Sequence, residues 1–284
     1  MRILVYGAGN IGSLYAAKLA QTAHQVSILA RGQRLEQIRE EGILLEDGIS
    51  GLQTTTMVRA VSMLAPEDVY DVVLVVLPKH RIAEVLPVLA AHTRTPTILF
   101  FCNNAAGADD LAAAVGRGRV LLGFPGAAAV ARGKVLRYLV TSAREQPTTI
   151  GEPNGATSGR IRSLALALQS AGFPVAICEN MDAWLKTHVA KILPTVAALY
   201  RAGDVETLAG TEEHLQLMVR AIREGFRVLQ ANEIPITPAS HRMLLLFPET
   251  FLVFAMRRML RAPTTAMKFG HAFDGRAEWQ HLAG

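Results

Sequence analysis

Two cysteines, Cys102 and Cys178, are all that 284 residues carry. A disulfide-stapled secreted scaffold is therefore excluded, and the sparse thiols point to a reducing, cytoplasmic setting. Lysine is almost as scarce, at six residues, so the net charge of +5 is built mainly from arginine. No basic cluster is interleaved with aromatics, which argues against a nucleic-acid surface. No apolar run is long enough to span a bilayer. The most membrane-like stretch, 243–260, is broken by Pro248, Glu249 and Arg257-Arg258, and reads as buried helix. Low-complexity tails and internal repeats are absent. Met1 leads straight into a strand pattern, so no secretory leader is expected. What remains is a half-hydrophobic chain with enough residues for two domains.

The strongest positive signal lies at the start. Arg2 to Tyr6 reads as a short buried strand, followed at once by Gly7, Gly9 and Gly12 in the spacing G-x-G-x-x-G and then by an apolar helical pattern. Each glycine has a separate task in binding a dinucleotide. Gly7 permits the tight turn, Gly9 lets a diphosphate approach the backbone, and Gly12 lets helix and strand pack closely. The diphosphate then rests on the positive end of the helix. Asn10 and Ile11, between the second and third glycines, belong to the same expected cofactor loop.

The second strand is expected at 24–30. NAD sites place an Asp or Glu at the end of that strand to hold the ribose 2′-hydroxyl. Here the position is Arg31, with Arg34 close behind. A guanidinium suits a 2′-phosphate, so NADP(H) is the expected cofactor. Arg34 has an alternative as an ordinary solvated residue of the next helix.

The first half alternates strand and helix. A helix is expected at 34–41, one or two short strands within 42–58, a strand at 72–77 and a helix at 82–91. Further strands are expected at 97–102 and 120–124, with a helix at 108–115 between them. Segments 134–141 and 148–151 look like a hairpin-like pair at the sheet edge. Helices then dominate, over 161–171, 183–199, 215–231 and 241–260, with a last short strand at 173–178. The pattern predicts an α/β fold: a Rossmann-like doubly wound sheet over residues 1–155, then an all-helical domain over 156–284 for substrate and dimerisation.

A cofactor-binding domain does not choose a reaction, so the catalytic groups are sought in the cleft expected between the domains. Asn103-Asn104 follow the 97–102 strand, at the edge of the sheet that faces a ligand crevice. Lys186 lies on the first turn expected for the long helix, near Leu185 and Val189. An ammonium there can protonate a carbonyl oxygen as hydride reaches its carbon. Lys191 points elsewhere around that helix. The segment 274–278, from Asp274 to Glu278, offers carboxylates. His188 and His271 read as packing or helix-surface residues rather than acids.

These motifs together resemble the ketopantoate reductase (2-dehydropantoate 2-reductase) family, over residues 1 to about 278. The resemblance implies reduction of ketopantoate to pantoate with NADPH, a step of pantothenate biosynthesis. It places the family's general acid on Lys186, in Asp182-Ala-Trp-Leu-Lys, its asparagine on Asn103 and its active-site glutamate on Glu278. Lys79 matches the family's lysine after the 72–77 strand, one place late. Other departures are substantial. The family's Asn-Gly is Asn103-Asn104 here, and its further asparagines on the lysine helix are missing from 190–194. Ala266 stands before Met267 where a serine is usual, with Thr265 beside it. The chain ends six residues past Glu278, where the family continues through further helices. Three functions follow: a reductase of a 2-oxo acid, a non-catalytic NADP(H)-binding sensor, or a reductase of another carbonyl or an imine. A homodimer through the helical domain is a plausible assembly.

Overall fold

The structure is a computed structural model that describes residues 1–262 and Thr265. The chain divides into two compact units, Met1–Asp182 and a second from Ala183 onward. The first unit begins with β1 (Arg2–Tyr6), α1 (Asn10–Ala20), β2 (Gln25–Leu29), α2 (Gly32–Glu41), β3 (Ile43–Asp47), β4 (Gln53–Thr56) and β5 (Arg59–Val61). It continues with β6 (Val72–Val76), α3 (Lys79–Ala91), β7 (Ile98–Phe101), α4 (Asp109–Val115) and β8 (Val120–Phe124). It closes with β9 (Ala127–Arg132), β10 (Val135–Val140), β11 (Thr148–Gly151), α5 (Gly159–Ser170) and β12 (Val175–Ile177).

An eight-stranded sheet runs β12-β11-β8-β7-β6-β1-β2-β5. The strands from β8 to β5 are parallel, and β11 joins β8 in the opposite sense. β1 and β6 read Ile3-Leu-Val-Tyr6 and Val72-Val-Leu-Val75 without a polar residue, because helices cover both faces of a parallel sheet. The chain builds outward from β1 through β2 to β5, then returns to β6 on the other side. The order therefore reverses between β1 and β6, where doubly wound sheets open a ligand crevice at the carboxyl ends of their strands.

A second sheet of four strands, β4-β3-β10-β9, lies within the same unit. It corrects the expected hairpin of 134–141 with 148–151. β10 pairs instead with the preceding β9, through a turn at Gly133 in the left-handed region, and β11 belongs to the main sheet. β9 reads Ala-Ala-Ala-Val-Ala-Arg, a composition with little strand propensity, so only its partner creates it.

The first unit also runs past the boundary expected near residue 155. β12 pairs with β11, and Ile161, Leu164, Leu168 and Phe173 are buried in the same core as Val5, Leu14 and Ile28. Tyr15 stacks on Phe173, and its hydroxyl meets Thr148 Oγ1 at 2.6 Å. The segment 156–182 thus completes the sheet rather than starting the helical unit.

The second unit holds most of α6 (Met181–Ala202), then α7 (Val205–Gly210), α8 (Glu212–Ala231), α9 (Met243–Leu246) and α10 (Glu249–Leu260). α8 buries Leu215, Met218, Val219, Ile222, Phe226 and Leu229, the spacing of one helical face, against Leu199, Leu208, Leu252 and Val253. The helix expected over 241–260 is broken. Pro248 has no N–H and drives Phe247 to extended backbone, with ψ at 151°. Arg223 covers the break, donating to the carbonyls of Leu244 (2.8 Å) and Phe247. No helix among the described residues is long and apolar enough to cross a membrane.

Candidate functional site

Glycine geometry defines the loop between β1 and α1. Gly7 has φ +124°, and a Cβ there would lie 2.5 Å from the Val76 carbonyl oxygen of β6. A Cβ on Gly12 would lie 1.9 Å from the Gly7 carbonyl oxygen, so only hydrogen fits between helix and loop. Gly9 is the opposite case: nothing lies within 4 Å of the Cβ it lacks. Gly7 and Gly12 are thus required by the protein's own packing. Gly9 faces open space, as a backbone must if a phosphate is to approach it. Asn10 is exposed and Ile11 partly exposed at the start of α1.

Helix ends at this edge share a second property. α1, α2 and α3 each begin without a side-chain cap and without an acidic residue in the first turn. Their first N–H groups and the positive end of each dipole are therefore unopposed by protein charge. The next two helices of this unit differ. α4 carries Asp109 and Asp110 in its first turn, and Ser158 caps α5. Three helix ends at the carboxyl edge of the sheet are thus left electrostatically receptive to an anion.

The basic side chains divide their tasks. Arg31 sits at the N-cap of α2, exposed, with no hydrogen bond or ion pair among the described residues. Arg34 is committed: Nη1 donates to Gln37 Oε1 at 2.7 Å and Nη2 to Ser13 Oγ at 2.9 Å. Lys79 opens α3 and acts electrostatically on Cys102 at the end of β7. Burial pushes the Cys102 thiol up to about 11, against the pull of Lys79, so it stays protonated at neutral pH and is not a nucleophile.

Asn103 and Asn104, alike in the sequence, differ completely in the fold. Asn103 is exposed just past the carboxyl end of β7, while Asn104 is fully buried. Asn104 Nδ2 donates to the Gly107 carbonyl at 2.6 Å, and its Oδ1 accepts from Ala106 N–H at 3.3 Å. Asn104 does not use left-handed backbone, which here falls to Gly107 at φ +85°. An asparagine in place of the family's glycine therefore ties the loop shut and leaves Asn103 displayed.

Lys186 belongs to the second unit. α6 begins earlier than expected, at Met181, so Lys186 lies in its second turn, partly buried. On the same helix Trp184 stacks on His188, with ring centroids 5.3 Å apart. His188 is buried, and that burial, with the charges of Lys191 and His241, holds its imidazole down to about 3. His241 is held down to about 4, by burial and then by Lys191, whose Nζ donates to its Nε2 at 3.2 Å. Both imidazoles are neutral at physiological pH and belong to the packing of this unit. Glu278, with Asp274, His271, Ala266 and Met267, lies outside the described residues.

The expected cofactor residues Gly7, Gly9, Asn10, Ile11, Gly12, Arg31, Lys79 and Asn103 all lie in loops and helix starts at the carboxyl edge of the main sheet's parallel strands. Sequence reasoning missed Ser13. Fully buried, its Oγ donates to the Ala8 carbonyl at 3.2 Å and accepts from Arg34. The available signal was a hydroxyl between Gly12 and Leu14, on the helix face that must pack against the sheet.

The reversal of strand order and the open glycine loop define a Rossmann-type doubly wound unit, followed here by a helical unit. Residues 3–155 match the model of the ketopantoate reductase PanE/ApbA family, and the chain belongs to that family of oxidoreductases. The 2-dehydropantoate 2-reductase of Halobacterium salinarum is 27% identical over 246 residues, covering 84% of this chain and 78% of that protein. Among solved structures, D-mandelate dehydrogenase with NADH and anilino(oxo)acetate has a TM-score of 0.73 at 16% identity, covering 94% of this chain and 82% of that one. The 2-dehydropantoate 2-reductase of Methylococcus capsulatus has a TM-score of 0.63 at 22% identity, covering 100% of this chain and 97% of that one. At such identities the structural likeness establishes the fold, and the chain is a divergent member of its family.

Proposed function

We propose that this protein is an NADPH-dependent reductase of a 2-oxo acid, with ketopantoate the first substrate to test. The observation that carries the cofactor choice is Arg31. An exposed guanidinium with no side-chain hydrogen bond or ion pair among the described residues stands at the end of β2, where a carboxylate would serve an NAD ribose. D-mandelate dehydrogenase shares the fold and is seen with NADH, so the fold alone does not choose between the two cofactors.

A nicotinamide dinucleotide held by these residues would supply a hydride to the carbonyl carbon of the substrate. Gly9 and the N-terminal turn of α1 would receive its diphosphate and Arg31 its 2′-phosphate, while Lys79 adds positive charge near Cys102. Asn103 offers an amide that orients the nicotinamide side or the substrate. The Lys186 ammonium gives its proton to the carbonyl oxygen as negative charge develops there. The second unit carries substrate recognition, and the exposed Leu246, Phe251 and Phe254 are its surface for a homodimer.

NADPH oxidation followed by absorbance, with ketopantoate beside other 2-oxo acids, tests this reading. Turnover with ketopantoate supports the pantothenate role. Turnover with another acid only keeps the chemistry and changes the substrate. A second reading has its own observation: the stretch 190–194 on the Lys186 helix contains no asparagine, where the resemblance implies further substrate-binding asparagines. Tight NADPH binding with no turnover on 2-oxo acids or imines would favour a non-catalytic NADP(H) sensor.

A further inference from the structure

Arg31 and Arg34 both stand where a guanidinium could read a 2′-phosphate, but Arg34 is spoken for. Its Nη2 donates to Ser13 Oγ at 2.9 Å, and its Nη1 to Gln37 Oε1 at 2.7 Å. Ser13 is wholly buried and has one hydroxyl proton, which it gives to the Ala8 carbonyl at 3.2 Å. Its oxygen must then accept from elsewhere, and Arg34 is the donor. The result is a relay from the first turn of α2, through α1, to the peptide between Ala8 and Gly9.

That peptide is the one that matters for a diphosphate. In a trans peptide the carbonyl and the following N–H point in opposite directions. Holding the Ala8 carbonyl toward Ser13 therefore turns the Gly9 N–H away from it, on a residue whose missing Cβ would meet nothing within 4 Å. The neighbouring N–H groups of α1 are not capped by any side chain. Among the described residues, the Ser13 hydroxyl is the hydrogen-bond donor that fixes the Ala8–Gly9 peptide on its carbonyl side.

We infer that Arg34 is a positioning residue of the phosphate loop: it acts through Ser13 to fix the Ala8–Gly9 peptide, and it does not bind the 2′-phosphate. The inference rests on the proposed dinucleotide site and makes a prediction separate from the cofactor choice. Loss of Arg34 weakens NADPH and NADH by the same factor, because both carry the diphosphate. Loss of Arg31 weakens NADPH alone.

The test is fluorescence titration of the full chain with each dinucleotide, for wild type, Arg34→Ala, Ser13→Ala, the double variant and Arg31→Ala, with thermal unfolding alongside. Arg34→Ala and Ser13→Ala should each weaken both dinucleotides about tenfold, the loss of one charge-assisted link. The NADH-to-NADPH ratio of dissociation constants should stay at the wild-type value. The double variant should be no weaker than either single one, since the two residues act in series. Arg31→Ala should bring the ratio toward one. Three results overturn the inference: a ratio that falls in Arg34→Ala, unchanged affinities in both single variants, or additive losses in the double variant. If Arg34→Ala does not fold, Ser13→Ala decides, because it removes the relay while keeping Arg34. A wild type that prefers NADH refutes the 2′-phosphate reading and leaves the relay to be judged on the NADH data. A wild type that binds neither refutes the dinucleotide site and the relay with it.

Discussion

Adding one methyl group at Gly9 or at Gly12 should separate what the glycine loop does for the ligand from what it does for the fold. At Gly9 the backbone has φ −70° and ψ −176°, open to any residue, and the new Cβ meets nothing within 4 Å. Gly9→Ala loses a slightly better helix N-cap and gains from a less flexible unfolded chain. Each effect is a few tenths to about 1 kcal/mol and they oppose one another. The melting temperature should therefore stay within about 4 °C of wild type. Cofactor binding should suffer heavily, because the methyl fills the space a phosphate needs to reach the helix N-terminus. Displacing one charge-assisted bond costs about 1.5–3 kcal/mol, so affinity should fall about 10- to 150-fold. Gly12→Ala differs because its Cβ starts 1.9 Å from a backbone oxygen, and real contacts need 3.0 Å. Helix and loop must part by about 1 Å, at an overpacking cost of about 1–3 kcal/mol or more, so stability and affinity fall together. Differential scanning fluorimetry and NADPH titration on the same samples provide the assay. Wild-type affinity in Gly9→Ala would refute the placement of the diphosphate, and an unfolded Gly9→Ala would refute the claim that the site is empty of protein.

Lys186→Ala should abolish turnover, by about 100-fold or more, while NADPH binds as before; surviving turnover in stopped-flow assays would remove its role as proton donor. His188 and His241 are held neutral in the fold, near 3 and 4, but ionise near 6.5 when unfolded. The unfolded chain thus binds more protons below pH 6.5, so stability is full above that pH and falls toward pH 4, by roughly 1 kcal/mol per pH unit per imidazole. Urea unfolding of His188→Leu against wild type should show a shallower pH slope; an equal slope would contradict the assignment. Glu152→Gln should cost about 1–3 kcal/mol in urea unfolding, because the buried carboxylate accepts from Arg160 Nε at 2.8 Å and Ser158 Oγ at 2.6 Å. A neutral effect would show that Arg160 is satisfied by backbone carbonyls alone.

Much of the first unit was legible in the residues, because it is written in local terms. β1, β6 and β8 are unbroken apolar runs of strand length, and the glycine spacing specifies a turn whose stereochemistry few other residues can adopt. The break at Pro248 was visible as a residue but not as a helix end, because the apolar pattern continues across it. β9 was invisible for a related reason: a run of alanines becomes a strand only when β10 supplies its hydrogen bonds. The path of β11 into the main sheet likewise depends on β8, which lies far from it in sequence.

By itself the sequence determined the glycine turn between β1 and α1 and the sign of the charge at the end of β2, because these depend on residue type and spacing along one strand–helix unit. Tertiary structure alone decided which of two arginines is tied to Ser13 and which of two asparagines is displayed. Arg31 and Arg34, and Asn103 and Asn104, carry the same groups. Arg34 is occupied only because α1 brings Ser13 to it, and Asn104 is buried only because its loop folds back onto Gly107. A side chain's chemistry is fixed by its covalent structure; whether it remains available to a ligand is fixed by the neighbours that reach it first.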